Sequence, residues 1–210
     1  MTYKELKQNS DFSEIAVLEH KNLKEMLVKE ITDNSGWSRV ANMYQITGVL
    51  AFVLGGFKAF MPFFVHREAQ YLIWLSYGLL FTFSFLIVFH ELVHAAAYKL
   101  VGAKELSFGM DLKKFMFWVM ADKQVLNYEQ FKKVALAPAV IVAVLSIFGM
   151  VIFYTQPYFF FFLPIFAFHS LFCAGDFGLL CFFQNRPEQE IVTYDIKIEG
   201  KTYFYAKQNI

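Results

Sequence analysis

The sequence predicts a mainly α fold, a polytopic membrane helical bundle of about four transmembrane helices. An N-terminal amphipathic helix, an interfacial β-hairpin (about 104–128) and a C-terminal β-hairpin (about 191–207) complete it. Three observations lead there. Of 210 residues, 57% are hydrophobic, 27 are phenylalanine and only 18% are charged, a balance that soluble domains rarely show. Four segments, roughly 44–65, 70–98, 134–155 and 157–183, stay apolar over the about 20 residues that a helix needs to cross a bilayer. The stretches at 104–128 and 191–207 are too polar to span, and they alternate as strands do. A net charge of +1 without a long basic run gives no reason to expect nucleic acid, so the lipid bilayer is the first partner that composition implies.

The first 41 residues are too charged to be a secretory signal and are expected to stay with the mature protein. Asp11 followed by Glu14 reads as the cap of a helix running through Ile15, Leu18, Leu23, Met26, Leu27 and Ile31, lying on the membrane surface or packed on the bundle. In the first span Lys58 lies near the outer end, where its stem can snorkel, and it is assigned no chemistry. The second span carries His90-Glu91-Leu92-Val93-His94. Leu106–Met110 and Phe115–Ala121 then read as strands around Asp111-Leu112-Lys113-Lys114, anchored at the interface by Phe115, Phe117 and Trp118. The exposed edge of that hairpin could pair with an extended substrate, or the hairpin could merely seal the site. In the tail, alternation through Ile191, Thr193 and Asp195 and then Tyr203 and Tyr205 places a turn at Glu199-Gly200. Cys173 and Cys181 lie about 12 Å apart along a helix, too far to bond, and each reads as a small core residue.

Positive residues are retained on the cytoplasmic side of short flanks. Lys99, Lys104, Lys113, Lys114, Lys123, Lys132 and Lys133 fill the connection between the second and third spans, and both terminal flanks are basic; the other two connections offer only Arg67. Both termini and the middle connection are therefore predicted cytoplasmic, in a multi-pass protein of the cell membrane. The second and fourth spans then run in the same direction. That puts His90, His94 and Asp176 in one layer, on the order of 10 Å below the cytoplasmic surface.

Ionisable side chains inside a bilayer cost several kcal/mol unless paired or bound. Spans two to four contain only His90, Glu91, His94, His169 and Asp176. Two histidines four apart share a helix face and can ligate one divalent metal, while the glutamate between them can deprotonate a water. Asp176 supplies a third ligand and leaves the fourth position open, as a catalytic zinc requires. The assignment is therefore Zn2+ on His90, His94 and Asp176, with Glu91 as the catalytic base. The alternatives are a hydrogen-bonded histidine pair with Glu91 bridged to Lys99, and an Asp176 paired to a helix terminus or protonated. Small residues at Gly175, Gly178, Ala95, Ala96 and Ala97 favour close approach of the two helices. His169, about 10 Å from Asp176 along a straight helix, reads as hydrogen-bonding or substrate-contacting, although Pro164 could kink the span.

On these residues the chain resembles the putative zincin peptidase family of small bacterial membrane proteins over most of 70–206. The likeness rests on His90-Glu91-Leu92-Val93-His94, Phe108-Gly109, Leu136-Ala137-Pro138 and the run from Ser170 to Gly175-Asp176. It is more distantly similar to site-2 type intramembrane metalloproteases, which the resemblance implies share a zinc-bearing helix, a membrane-associated β-hairpin and a later aspartate ligand. Gly175 precedes Asp176 here, whereas those proteases have Asp followed by Gly, and their Asn-containing clamping motif is not evident, so substrate handling does not carry over.

The expected function is an intramembrane zinc endopeptidase that cleaves near the cytoplasmic face by Glu91-assisted attack of a zinc-bound water. Its substrate would be a peptide or a single-pass membrane protein. The alternative is a catalytically inactive zinc-binding scaffold or sensor. An ion transporter is disfavoured by four spans without inverted repeats. The domains follow as a cytoplasmic amphipathic segment 1–41, a transmembrane zinc-metallopeptidase-like domain 42–184 and a cytoplasmic tail 185–210.

Overall fold

The computed structural model describes residues 1–19, 29–31, 35–111 and 116–208. In chain order its elements are α1 (Tyr3–Gln8), β1 (Phe12–Glu19), α2 (Gly36–His66), α3 (Gln70–Thr82), α4 (Phe85–Leu100), β2 (Ser107–Asp111), β3 (Met116–Met120) and β4 (Leu126–Asn127). Then come α5 (Tyr128–Ile152), α6 (Phe159–Phe172), α7 (Ala174–Gln184), β5 (Ile191–Ile196), a 3-10 turn (Lys197–Glu199) and β6 (Lys201–Lys207). The chain is mainly helical with small sheets, and it forms two compact units. One comprises Met1–Ser38, Glu91–Ala137 and Gly175–Ile210; the other comprises Arg39–His90 and Pro138–Ala174.

The first unit bears the sheets. Thr2 and Glu5 cap α1 reciprocally, and Leu6 is buried against Val192, Tyr194, Ile196, Tyr203 and Tyr205. The larger sheet has the order β1-β6-β5-β4, all antiparallel. β5 and β6 turn through Gly200, whose φ of 61° is the left-handed conformation that glycine adopts without strain. The Tyr203 hydroxyl donates to Glu199; that bond, with burial, pushes its ionisation up to about 12.

The N-terminal helix expected from Asp11 is corrected here. Phe12–Glu19 is a strand paired from Phe12↔Lys207 to Glu19↔Lys201, with an irregularity between Glu14 and Ala16. Ile15, Val17 and the aromatic Phe12 suit a pleated surface, and the open edge of β6 supplies backbone partners that an isolated amphipathic helix would not need. Leu23, Met26 and Leu27 of that expectation lie outside the described residues. Ile31 is helical, and beside it Glu30 accepts hydrogen bonds from Arg186 at 2.9 Å and Asn185 at 2.9 Å. Burial would raise the Glu30 carboxyl, but those bonds and the Arg186 charge hold it below the ordinary carboxylate range.

β2 and β3 form a separate antiparallel pair, with Gly109 opposite Trp118. A Cβ at Gly109 would lie 2.4 Å from the Trp118 ring, so the glycine is what lets that ring lie across the strand. The expected turn at 112–114 and the anchor Phe115 lie outside the described residues.

The second unit is helical and apolar. α3 packs on α6 so closely that a Cβ at Gly78 would stand 2.3 Å from the Phe161 carbonyl oxygen. Leu163 fills the notch at Gly55, and Ala59, Leu75, Phe160 and Leu163 form a buried cluster. Along α2, by contrast, Met43, Leu54 and Phe57 are about 70% exposed, as suits a helix whose outer face meets lipid. Gly36–His66, Tyr128–Ile152 and the α6–α7 stretch Phe159–Gln184 are long and apolar enough to cross a membrane. The expected second span is instead two helices, α3 and α4, bent by 46° at a short break; counted as one span, they bring the number to four. At that break the Thr82 and Ser84 hydroxyls bond back to the carbonyls of Gly78 and Leu80. Such back-bonding by Ser and Thr bends helices.

Candidate metal centre

Helix α4 carries the pentapeptide, and the two histidines stand one turn apart on one face. The boundary between the units falls between His90 and Glu91, so each end of the motif is described with its own neighbours.

In the sheet-bearing unit, His94 is 8% exposed and its Nδ1 lies 3.0 Å from the Val134 carbonyl oxygen on α5. A carbonyl only accepts, so Nδ1 holds a proton and donates it there, which leaves Nε2 to face the acidic side. Nε2 lies 3.3 Å from Asp176 Oδ1. Asp176 is in the first turn of α7, where the helix dipole favours a carboxylate. Glu91 Oε2 accepts a 2.8 Å hydrogen bond from the Val119 backbone N–H, so β3 of the small hairpin holds the motif's carboxylate. Lys99, the alternative partner for Glu91, donates to the Lys104 carbonyl at 2.7 Å.

In the helical unit, His90 Nδ1 is 3.0 Å from His169 Nε2. Cys173 Sγ is 3.6 Å from His169 Nδ1 and 3.9 Å from its Nε2. His90, His169 and Cys173 each offer one donor atom within 4.8 Å of the others, and all three are buried. His169 thus meets His90, whereas a sequence reading measured it only against Asp176. Both cysteines are free thiols.

Sequence reasoning missed three members of these surroundings. Cys173, expected to be a small core residue, has a legible signal, since it lies four residues after His169. The Val134 carbonyl and the Val119 N–H are backbone groups and leave no mark in a sequence. An imidazole nitrogen facing a carboxylate oxygen is donor chemistry that suits a divalent metal. A family model described as "Putative zincin peptidase" matches residues 83–191, just over half of the chain and every residue of both clusters. Comparison with curated proteins and with solved structures found no match in either.

Proposed function

The chain belongs to the putative zincin peptidase family, and from that membership we propose a zinc-dependent endopeptidase that cleaves within the membrane near its cytoplasmic face. The observation that carries the reading is His94 Nε2 held 3.3 Å from the Asp176 carboxylate while Nδ1 is tied to Val134. This arrangement suits zinc, since Nδ1 is engaged by a carbonyl and a metal would take the place of a proton between Nε2 and the anionic oxygen. His90, one turn earlier on α4, completes the set His90, His94 and Asp176. Bound there, zinc would supply a Lewis acid for the scissile carbonyl and a lowered pKa for water.

Glu91, held by Val119, takes a proton from the attacking water and returns it to the leaving amine. β3 therefore sets the base's position. The edge of the small hairpin beside it is suited to an extended peptide, because a helix hides its peptide bonds until it unwinds. Single-pass helices that fray near the surface, and free peptides, are the substrate class. The lysines of the middle connection and the basic terminal flanks support a cytoplasmic location for this layer and for both termini.

Full-length protein in detergent, incubated with a mixed peptide library and read by mass spectrometry, tests the reading. Cleavage by the wild type, its loss in Glu91→Gln with zinc retained, and loss of both zinc and cleavage in His94→Ala are expected. A Glu91→Gln variant that cleaves like the wild type would overturn the peptidase role. Wild-type zinc binding without cleavage would favour the scaffold.

A further inference from the structure

We infer that His90, His169 and Cys173 form a second binding site, for a soft monovalent cation of the copper(I) class. The three donors come from α4, α6 and the residue that caps α6, and every one lies in the helical unit. His169 and Cys173 are 0% exposed and His90 is 8% exposed, so this is an interior site.

The spacing already approximates a coordination shell. An ion about 2.0–2.1 Å from nitrogen and about 2.3 Å from sulfur, in tetrahedral to trigonal geometry, separates its donors by roughly 3.3–3.6 Å between nitrogens and 3.6–3.8 Å between nitrogen and sulfur. His90 Nδ1 and His169 Nε2 are 3.0 Å apart, and the latter is 3.9 Å from Cys173 Sγ. These two pairs need shifts of only a few tenths of an ångström to reach a metal, and the third pair, His90 with Cys173, lies within 4.8 Å. The donor types narrow the ion to soft and borderline metals, copper(I) and zinc foremost, since thiolate and imidazole suit both.

Charge narrows the choice further. The thiol proton leaves to solvent on binding, so two neutral imidazoles and one thiolate around a monovalent ion make a neutral complex. A divalent ion would leave one positive charge on the donor set itself, a cost that burial raises. Among the described residues of this unit the only carboxylate is Glu68, in the connection before α3, far in sequence from every donor.

The site does not rest on the peptidase reading, because Asp176 and Glu91 take no part in it. His90 is common to both, so copper here and zinc at the motif compete for one side chain. The test is titration of full-length, reduced protein in detergent with copper(I) against a chromogenic copper(I) chelator. The wild type, Cys181→Ser and Asp176→Asn are expected to withhold one equivalent, and Cys173→Ser and His169→Gln to withhold none. X-ray absorption of the copper-loaded wild type should show one sulfur and two nitrogens. No withheld copper in the wild type, undiminished copper in Cys173→Ser, or a shell without sulfur would each overturn the site, the last without relying on any variant to fold. Loss of zinc binding in Asp176→Asn with copper binding intact separates the fate of this site from that of the peptidase reading.

Discussion

The two histidines of α4 are identical in type, one turn apart and similarly buried, yet they keep opposite company. His94 sits among oxygens, with the Val134 carbonyl at 3.0 Å and Asp176 at 3.3 Å. His90 sits among softer donors, His169 at 3.0 Å and, beyond it, Cys173. A short motif says which residues can ligate; what they ligate is decided by the partners that other elements bring. The oxygen-rich end offers donors that a divalent ion would take, while the nitrogen–sulfur end gives His90 a second set of partners.

The largest effect should come from breaking the oxygen side. Asp176→Asn removes the anionic oxygen proposed to bind the metal, and zinc should no longer survive dialysis against a mild chelator, as read by elemental analysis. An unchanged zinc content would move the metal away from this end of α4. Next comes the partner that orients His90: His169→Gln is expected to lower zinc affinity by about 10–100-fold, the usual cost of losing the group that positions a ligating histidine. Cleavage should be restored when excess zinc saturates the variant, which a purely structural defect would not allow. Equal zinc affinity in this variant would mean that His90 is oriented by α4 alone.

The smallest effect separates the units by pH. Glu30 and Arg186 lie in the sheet-bearing unit, and their pairing lowers the folded-state carboxyl, so the stability it gives is present above the ordinary carboxylate range. It is lost as pH falls through the folded value. Thermal melts should therefore show the wild type above Glu30→Gln at neutral pH, with the gap closing on acidification. A gap that widened in acid would show that the pair does not hold Glu30 ionised.

How much of this was legible depended on whether a residue's partner was local. The nearness of Asp176 to His94 could be reached from depth, because an apolar chain has few ionisable side chains to place. The break between α3 and α4 was not, since residues 70–98 read as one apolar run and the Thr82 and Ser84 hydroxyls can bond back to carbonyls in straight helices as well as bent ones. β1 was misread because Phe12–Glu19 fits a helix nearly as well as a strand, and only the edge of β6, almost two hundred residues later, decides between them. The meeting of His90 with His169 is likewise a product of packing within the helical unit.

One measurement bears most directly on the central claim, that the zinc sits at the oxygen-rich end of α4: zinc X-ray absorption of the full-length protein. The account predicts a shell of nitrogen and oxygen alone, with a carboxylate contribution that disappears in Asp176→Asn. Sulfur in that shell would place the zinc at Cys173 and contradict it.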